Sequence, residues 1–504
     1  MDPGLLLLLL LATSLLPAGV IFLLAEHAET ARRNVNMVGA LAKVGLVVWL
    51  VVGVFSGREY EWRMAFLPEI DLVLRADPVP LLFVFLSALL WLTTTVYAIG
   101  YLADSAHRSR FFGFFSLCVA ATVGIALAGN LVTFIVFYEL LTVTTYPLVV
   151  HEGDERARSA GRTYLLYTVS GGAVLLVGAV WLQQVAGTVA FGRTEVLSAL
   201  AGDHRATLTA IFVLLVAGLG VKAALVPLHG WLPKAMIAPA PVSALLHAVA
   251  VVKAGVYGIV RVVHDLYGGP LASELGVLAP LGAVASATII YGSLQALAQD
   301  DLKRRLAYST ISQLSYIVLG MSVVGLASVA GGLAHLVHQG VMKVTLFYCA
   351  GILAHTFGVR RISEMRGVAW RAPWTMAMFT IAALGMVGVP PTVGFVTKWY
   401  LGMGGVEAGQ PWVIAVLVAS TLLNAAYFLP VVARAWMPAA GTAGASWTRP
   451  WPFAGWRRIE ADPWLLLPAL ATGTSVLVLG LLSGVPLSPI AWAEEIAREL
   501  LERG

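Results

Sequence analysis

The sequence predicts an all-α polytopic membrane protein with about fourteen transmembrane helices. Three observations carry this. Of 504 residues, 59% are hydrophobic and 12% charged, with a mean hydropathy of +0.85; a soluble chain carries about 25% charged residues. Apolar stretches long enough to span, about 20 residues each, recur along the whole chain. The basic residues between them alternate in density from loop to loop, as the positive-inside rule requires.

In order, the predicted spans are residues 4–25, 35–55, 79–101, 111–129, 131–150, 163–185 and 208–227, then 241–262, 274–297, 305–325, 329–357, 373–400, 411–436 and 464–487. The first stretch has the length of a signal peptide but lacks a basic flank and a clear cleavage site, and is read as a retained span. Alternate loops hold nineteen basic residues on one side and eight on the other. Five lysines inside apolar segments complete the 32. An even number of spans with this asymmetry places both termini outside the cell membrane. The net charge of +5 is dispersed over short loops and does not suggest nucleic acid. Cys118 and Cys349 stand alone, with no CxxC or Cys/His cluster. Disulfides, iron–sulfur clusters and structural zinc are not expected, and neither is a cofactor or bound metal.

Two spans are interrupted. Pro227 and Pro233 follow Lys222 in the seventh, and Pro390-Pro391 precede Lys398 in the twelfth. Proline removes a backbone donor, and non-helical backbone at membrane depth is tolerated only inside protein or beside water. A break near a lysine, occurring twice, predicts paired discontinuous helices of the inverted-repeat kind; the plainer alternative, that these prolines merely end helices, fits Pro233.

The ionisable residues are unevenly placed. Lys43, Lys222, Lys253, Lys343 and Lys398 lie within apolar segments, whereas all twenty-five arginines fall in loops or at segment ends. A desolvated lysine can release its proton; an arginine effectively cannot. Glu139 is the one acidic residue placed in the middle of an apolar run, and a lysine is its expected partner. One Glu–Lys pair could simply pin two helices, but five lysines cannot be neutralised by one glutamate. In the eleventh span, at 100° per residue, His338 lies about 60° to one side of His335 and Lys343 about 80° to the other. The three share one face. Lys253 sits near the middle of the eighth span; His247, six residues earlier, ranks below it, and His229 is balanced between a water path and interfacial hydrogen bonding. Lys43 has no evident polar neighbour in sequence, and snorkelling or contact with another subunit is expected of it. The polar run Ser309–Tyr316 is assigned chiefly to helix packing. Gly218 and Gly220 imitate a dinucleotide loop, but without a preceding strand.

The run GLGVKAALVPLHGWLPKAMIAPAPVSALLHAVAVVKAGVYGIVR, followed by DDLKRRLAYSTISQLSY and HLVHQGVMKVTLFYCAG, resembles the antiporter-like subunits of respiratory complex I and Mrp cation/proton antiporters over about residues 80–430. The resemblance implies two inverted five-helix repeats with broken helices seven and twelve. It divides the chain into a three-helix region (1–110), a first repeat of helices 4–8 (111–262), a second of helices 9–13 (274–436), and a cytoplasmic loop, helix 14 and amphipathic tail (437–504). By motif it assigns Glu139 to modulating Lys222, Lys253 to the centre of a proton relay, His335, His338 and Lys343 to its continuation, and Lys398 to its end. Lysine at that last position points away from the M-type chain of complex I. The chain's stopping after helix fourteen, without a lateral helix, points to the D-subunit group of Mrp antiporters. The implied function is proton translocation in a Na⁺ or K⁺/H⁺ antiporter of the bacterial or archaeal cell membrane, in a hetero-oligomer with other Mrp-type subunits. A pump module of complex I or a membrane-bound hydrogenase is the alternative, and a non-conducting scaffold subunit is the alternative of another class.

Overall fold

A computed structural model describes residues 3–68, 70–187, 189–437 and 460–503. Most of the Trp/Pro-rich loop expected to be cytoplasmic, residues 438–459, lies outside the described residues.

The chain opens with α1 (Pro3–Leu23) and α2 (Glu29–Phe55), then a β-hairpin of β1 (Tyr60–Leu67) and β2 (Ile70–Ala76). Next come α3 (Pro78–Tyr101), α4 (Arg108–Leu127), α5 (Leu131–Val149), α6 (Glu155–Ala186) and α7 (Glu195–Lys222). After the first break follow α8 (Trp231–Lys234), α9 (Ala240–Ala248) and α10 (Val251–Val260), which runs into a π-helical turn over Arg261–Tyr267. The remainder is α11 (Gly269–Glu274), α12 (Leu278–Leu297), α13 (Leu302–Ser322), α14 (Leu326–Phe357), α15 (Pro373–Val387), α16 (Val393–Glu407), α17 (Trp412–Trp436), α18 (Pro463–Leu481) and α19 (Pro489–Arg503). Among the described residues, twelve helices are long and apolar enough to cross a membrane. The polar α13 and the split pair α15/α16 complete the fourteen expected spans.

Helix starts follow their capping residues. Asp77, Asn130, Asp154, Asp301 and Asp462 each accept a hydrogen bond from a backbone N–H of the first turn, satisfying donors that a helix start leaves orphaned. The hairpin was not expected: residues 56–78 read as a loop. Its signal is the alternation of Tyr60, Trp62, Met64 and Phe66 with Glu61 and Arg63, and the strands pair antiparallel with Trp62 opposite Leu74.

Both expected breaks are present, and each satisfies its freed backbone groups from within the protein. After α7, Ala224 takes a left-handed φ of 57°, and Leu225 N–H returns to Gly220 O at 2.9 Å. The Trp231 indole donates to Val221 O at 2.8 Å, and Thr288 Oγ1 accepts from Val226 N–H at 3.1 Å. After α15, Gly388 at φ 89° ends the helix, and Asn424 Nδ2 donates to Met386 O at 3.1 Å. A third interruption was not expected. The eighth span, read as continuous, bends between α9 and α10 at Val249 and Ala250, where φ/ψ leave the helical region.

The centre of the molecule is α14, buried without interruption from Ala327 to Leu353. It is packed by α9, α13, α16, α18 and α19. The tail α19 buries Ile490, Ala493, Ile496, Ala497 and Leu500.

Candidate functional site

Four lysines line the interior along the interrupted helices and α14. Lys222 ends α7, and its Nζ donates to Tyr138 O on α5 at 2.5 Å while lying 3.3 Å from the Tyr138 ring centroid. Lys253, just past the bend between α9 and α10, donates to Leu336 O on α14 at 2.7 Å. Lys343 donates to Leu306 O on α13 at 3.2 Å and also to Ser309 Oγ. Lys398, on α16, donates to Val387 O at 2.6 Å and to Thr421 Oγ1 at 2.9 Å.

The pattern is consistent. Each ammonium is held by carbonyl and hydroxyl oxygens, and none of the four is in an ion pair among the described residues. Lys398 in addition sits on the carbonyls that end α15, the negative end of a helix dipole. Neutral oxygens solvate a proton-bearing amine without cancelling its charge, so the charged state is carried at a cost in low dielectric.

Glu139 does not contact Lys222. Its carboxylate is half-buried, lies against Gly172, and is within electrostatic range of Lys222. A Cβ at Gly172 would fall 2.1 Å from Glu139 Oε1, so the glycine makes room for the carboxylate.

The two histidines of α14 join the Lys398 end. His338 Nδ1 is 2.8 Å from Thr397 Oγ1 on α16, and the His335 ring is 5.3 Å from that of Tyr316. Tyr316 lies 5.8 Å below Lys398 Nζ and donates to Ser420 Oγ at 2.8 Å. His335 is within electrostatic range of Lys253, His338 and Lys398. Lys343 stands apart: its partners are on α13, the Phe428 ring is 5.9 Å away, and it faces His247 electrostatically. The shared face predicted for His335, His338 and Lys343 therefore divides between two neighbourhoods. Ser309 and Tyr316, assigned in sequence chiefly to packing, contact the relay candidates directly.

Three sequence readings are corrected. Lys43 is fully buried, donating to Ser14 Oγ at 2.5 Å with Nζ 5.0 Å from the Trp91 ring; its polar helper comes from α1, remote in sequence, and it does not snorkel. Arg261, counted among loop and segment-end arginines, is 1% exposed. Asp265, counted among peripheral carboxylates, is equally buried and 2.8 Å from Arg261. The i,i+4 spacing in RVVHD was the available signal.

Residues 128–424 match the family model described as NADH:quinone oxidoreductase/Mrp antiporter, TM. Over 418 residues the chain is 38% identical to NADH-quinone oxidoreductase subunit N of Desulforudis audaxviator, covering 82% of each chain. It is 32% identical over 363 residues to a probable K(+)/H(+) antiporter subunit of Rhizobium meliloti, covering 70% of this chain and 36% of that one. A chain in the structure of the Mrp complex from a Dietzia species superposes with a TM-score of 0.85 at 24% identity, covering 99% of both chains. That last likeness is one of fold.

Proposed function

The chain belongs to the NADH:quinone oxidoreductase/Mrp antiporter transmembrane family, and from that premise we propose that it is the proton-translocating, D-type subunit of a multi-subunit Na⁺ or K⁺/H⁺ antiporter. It works as a secondary-transport subunit in a cell membrane, with both termini outside, among other Mrp-type subunits. The observation that carries this reading is the set of four interior lysines, three fully buried and Lys398 half-buried, bound only by neutral oxygens.

In the proposed relay, Glu139 stabilises the proton on Lys222 while it is near and charged. Weakening of that interaction releases the proton toward Lys253. From there it passes by His335 and His338 to Lys398, whose ammonium the α15 carbonyls receive. Lys343, on the α13 side with His247, is a lateral branch of the same interior. In this reading each of the repeats 111–262 and 274–436 contributes one broken helix to the route.

Purification of the complex from its native membrane tests the assignment. Small Mrp-type subunits co-purifying, with Na⁺- or K⁺-driven collapse of a pH gradient in vesicles, is the expected result. The 38% identity to subunit N favours a second reading, a pumping module of a complex I-type enzyme. Co-purified quinone-reducing and iron–sulfur subunits would establish that reading instead.

A further inference from the structure

Resting on the relay reading above, we propose that the ion-pair chain Asp265–Arg261–Asp77–Arg75 is a proton gate between Lys253 and a cavity beneath the β1–β2 hairpin. Lys253, Tyr257, Arg261 and Asp265 recur every four residues along α10 and the π turn, which gives them one helix face. Arg261 Nη1 is 2.8 Å from Asp265 Oδ2 and 3.7 Å from Asp77 Oδ1. Asp77 Oδ2 is in turn 3.0 Å from Arg75 Nη2. Arg75 lines a cavity of about 230 Å³ with Glu61, Arg63, Asp71 and Asn130. The guanidinium of Arg261 lies 4.5 Å from the Phe191 ring and 5.9 Å from that of Tyr257. Tyr257 OH donates to Ala126 O at 3.0 Å, and His264 is buried on the same turn.

Two carboxylates flank the buried Arg261, and one of them, Asp77, is shared with Arg75 on the cavity side. Arginine keeps its proton, so Arg261 is a fixed positive charge about 12 Å along the helix from Lys253. A proton moving outward is repelled there unless a carboxylate takes it up. Asp265, one turn beyond Arg261, is the first acceptor: an N–H bond of the Lys253 ammonium breaks and, through water, an O–H bond forms on Asp265. Arg261 stays paired through Asp77, so its charge is never stranded. The proton then moves to Asp77, Asp265 pairs again with Arg261, and Asp77 releases the proton into the cavity beside Arg75. One proton enters and one leaves.

The test uses the complete complex in proteoliposomes, with exchange measured per assembled complex as pH is varied on the hairpin side. Asp265→Asn is expected to slow exchange at least about tenfold and to flatten its dependence on hairpin-side pH. Wild-type rate and pH profile in assembled Asp265→Asn complexes, even with lowered thermal stability, overturn the gate. Should that variant fail to assemble, the double substitution R261Q/D265N, which removes both charges, takes its place. The gate then predicts proton leak without cation exchange, and tightly coupled wild-type exchange contradicts it. Lys253→Ala separates the two claims: normal exchange there overturns the relay itself, whereas its loss beside an unaffected Asp265→Asn overturns only the gate.

Discussion

At the level of single residues, the chemistry depends on which oxygens receive each buried ammonium. A carbonyl or hydroxyl partner keeps lysine oriented while leaving its charge uncancelled, so proton occupancy responds to small changes in distance from a carboxylate. Gly172 offers a test of this that alters no charge. Gly172→Ala puts a methyl where Glu139 Oε1 now lies, displacing the carboxylate. Exchange in vesicles is expected to slow in the same direction as with Glu139→Gln, with assembly retained. An unchanged rate in both variants contradicts the modulating role of Glu139. Thr397 holds His338 at 2.8 Å, a hydrogen bond worth about 1 kcal/mol. Thr397→Val is expected to lower exchange several-fold without loss of the complex, read as initial rate per assembled complex. The sequence located these side chains but not their partners. Lys43–Ser14, Lys343–Ser309 and Arg261–Asp77 join residues far apart along the chain, and hydropathy along one strand of text carries no such pairing.

At the level of elements, the breaks are built from close backbone approach. A Cβ at Gly394 would lie 1.8 Å from Gly385 O, and one at Gly480 would lie 2.0 Å from Pro391 O. These contacts press α16 and α18 against the break that follows α15. Gly480→Ala is expected to destabilise the assembled protein by about 1–3 kcal/mol through overpacking, seen as a lowered thermal unfolding temperature in detergent. Prolines beside lysines made the seventh and twelfth interruptions legible. The bend at Val249 and Ala250 has no proline or glycine in it, and so left no sequence mark.

The connections before α13 and after α14 are latched together by carboxylates. Asp300 accepts from the Ser363 hydroxyl at 2.8 Å and its N–H at 2.9 Å, and Glu364 accepts from the N–H groups of Arg361 and Arg360 at 3.0 Å each. The Ser363 hydroxyl chiefly holds Asp300 below its ordinary pKa, and the Arg361 and Arg360 amides do the same for Glu364. Folded values below unfolded ones mean that this contribution is present above about pH 4 and is lost as pH falls through the folded values. Corrected hydrogen-exchange protection of the Ile362–Glu364 amides is therefore expected to be flat from about pH 8 to 5 and to fall below about pH 4. A loss of protection between about pH 8 and 6 would contradict the latch.

At the level of the whole molecule, α14, buried from Ala327 to Leu353, connects the bent eighth span to the broken twelfth. Lys253 reaches it from α10 through Leu336 O, and His338 reaches α16 through Thr397. The predominantly helical membrane fold and its fourteen spans were legible from apolar length and loop charge, because a bilayer forces both. The hairpin and the buried Arg261 cluster were obscured because charged residues near segment ends read as solvent-facing. The proposed function reduces to a claim about proton transfer through the interior lysines. Its most direct measurement is cation-driven proton flux in proteoliposomes containing fully assembled complexes with Lys222→Ala or Lys253→Ala. Loss of flux in both, with subunit composition intact, is the predicted result; wild-type flux in both would contradict the relay.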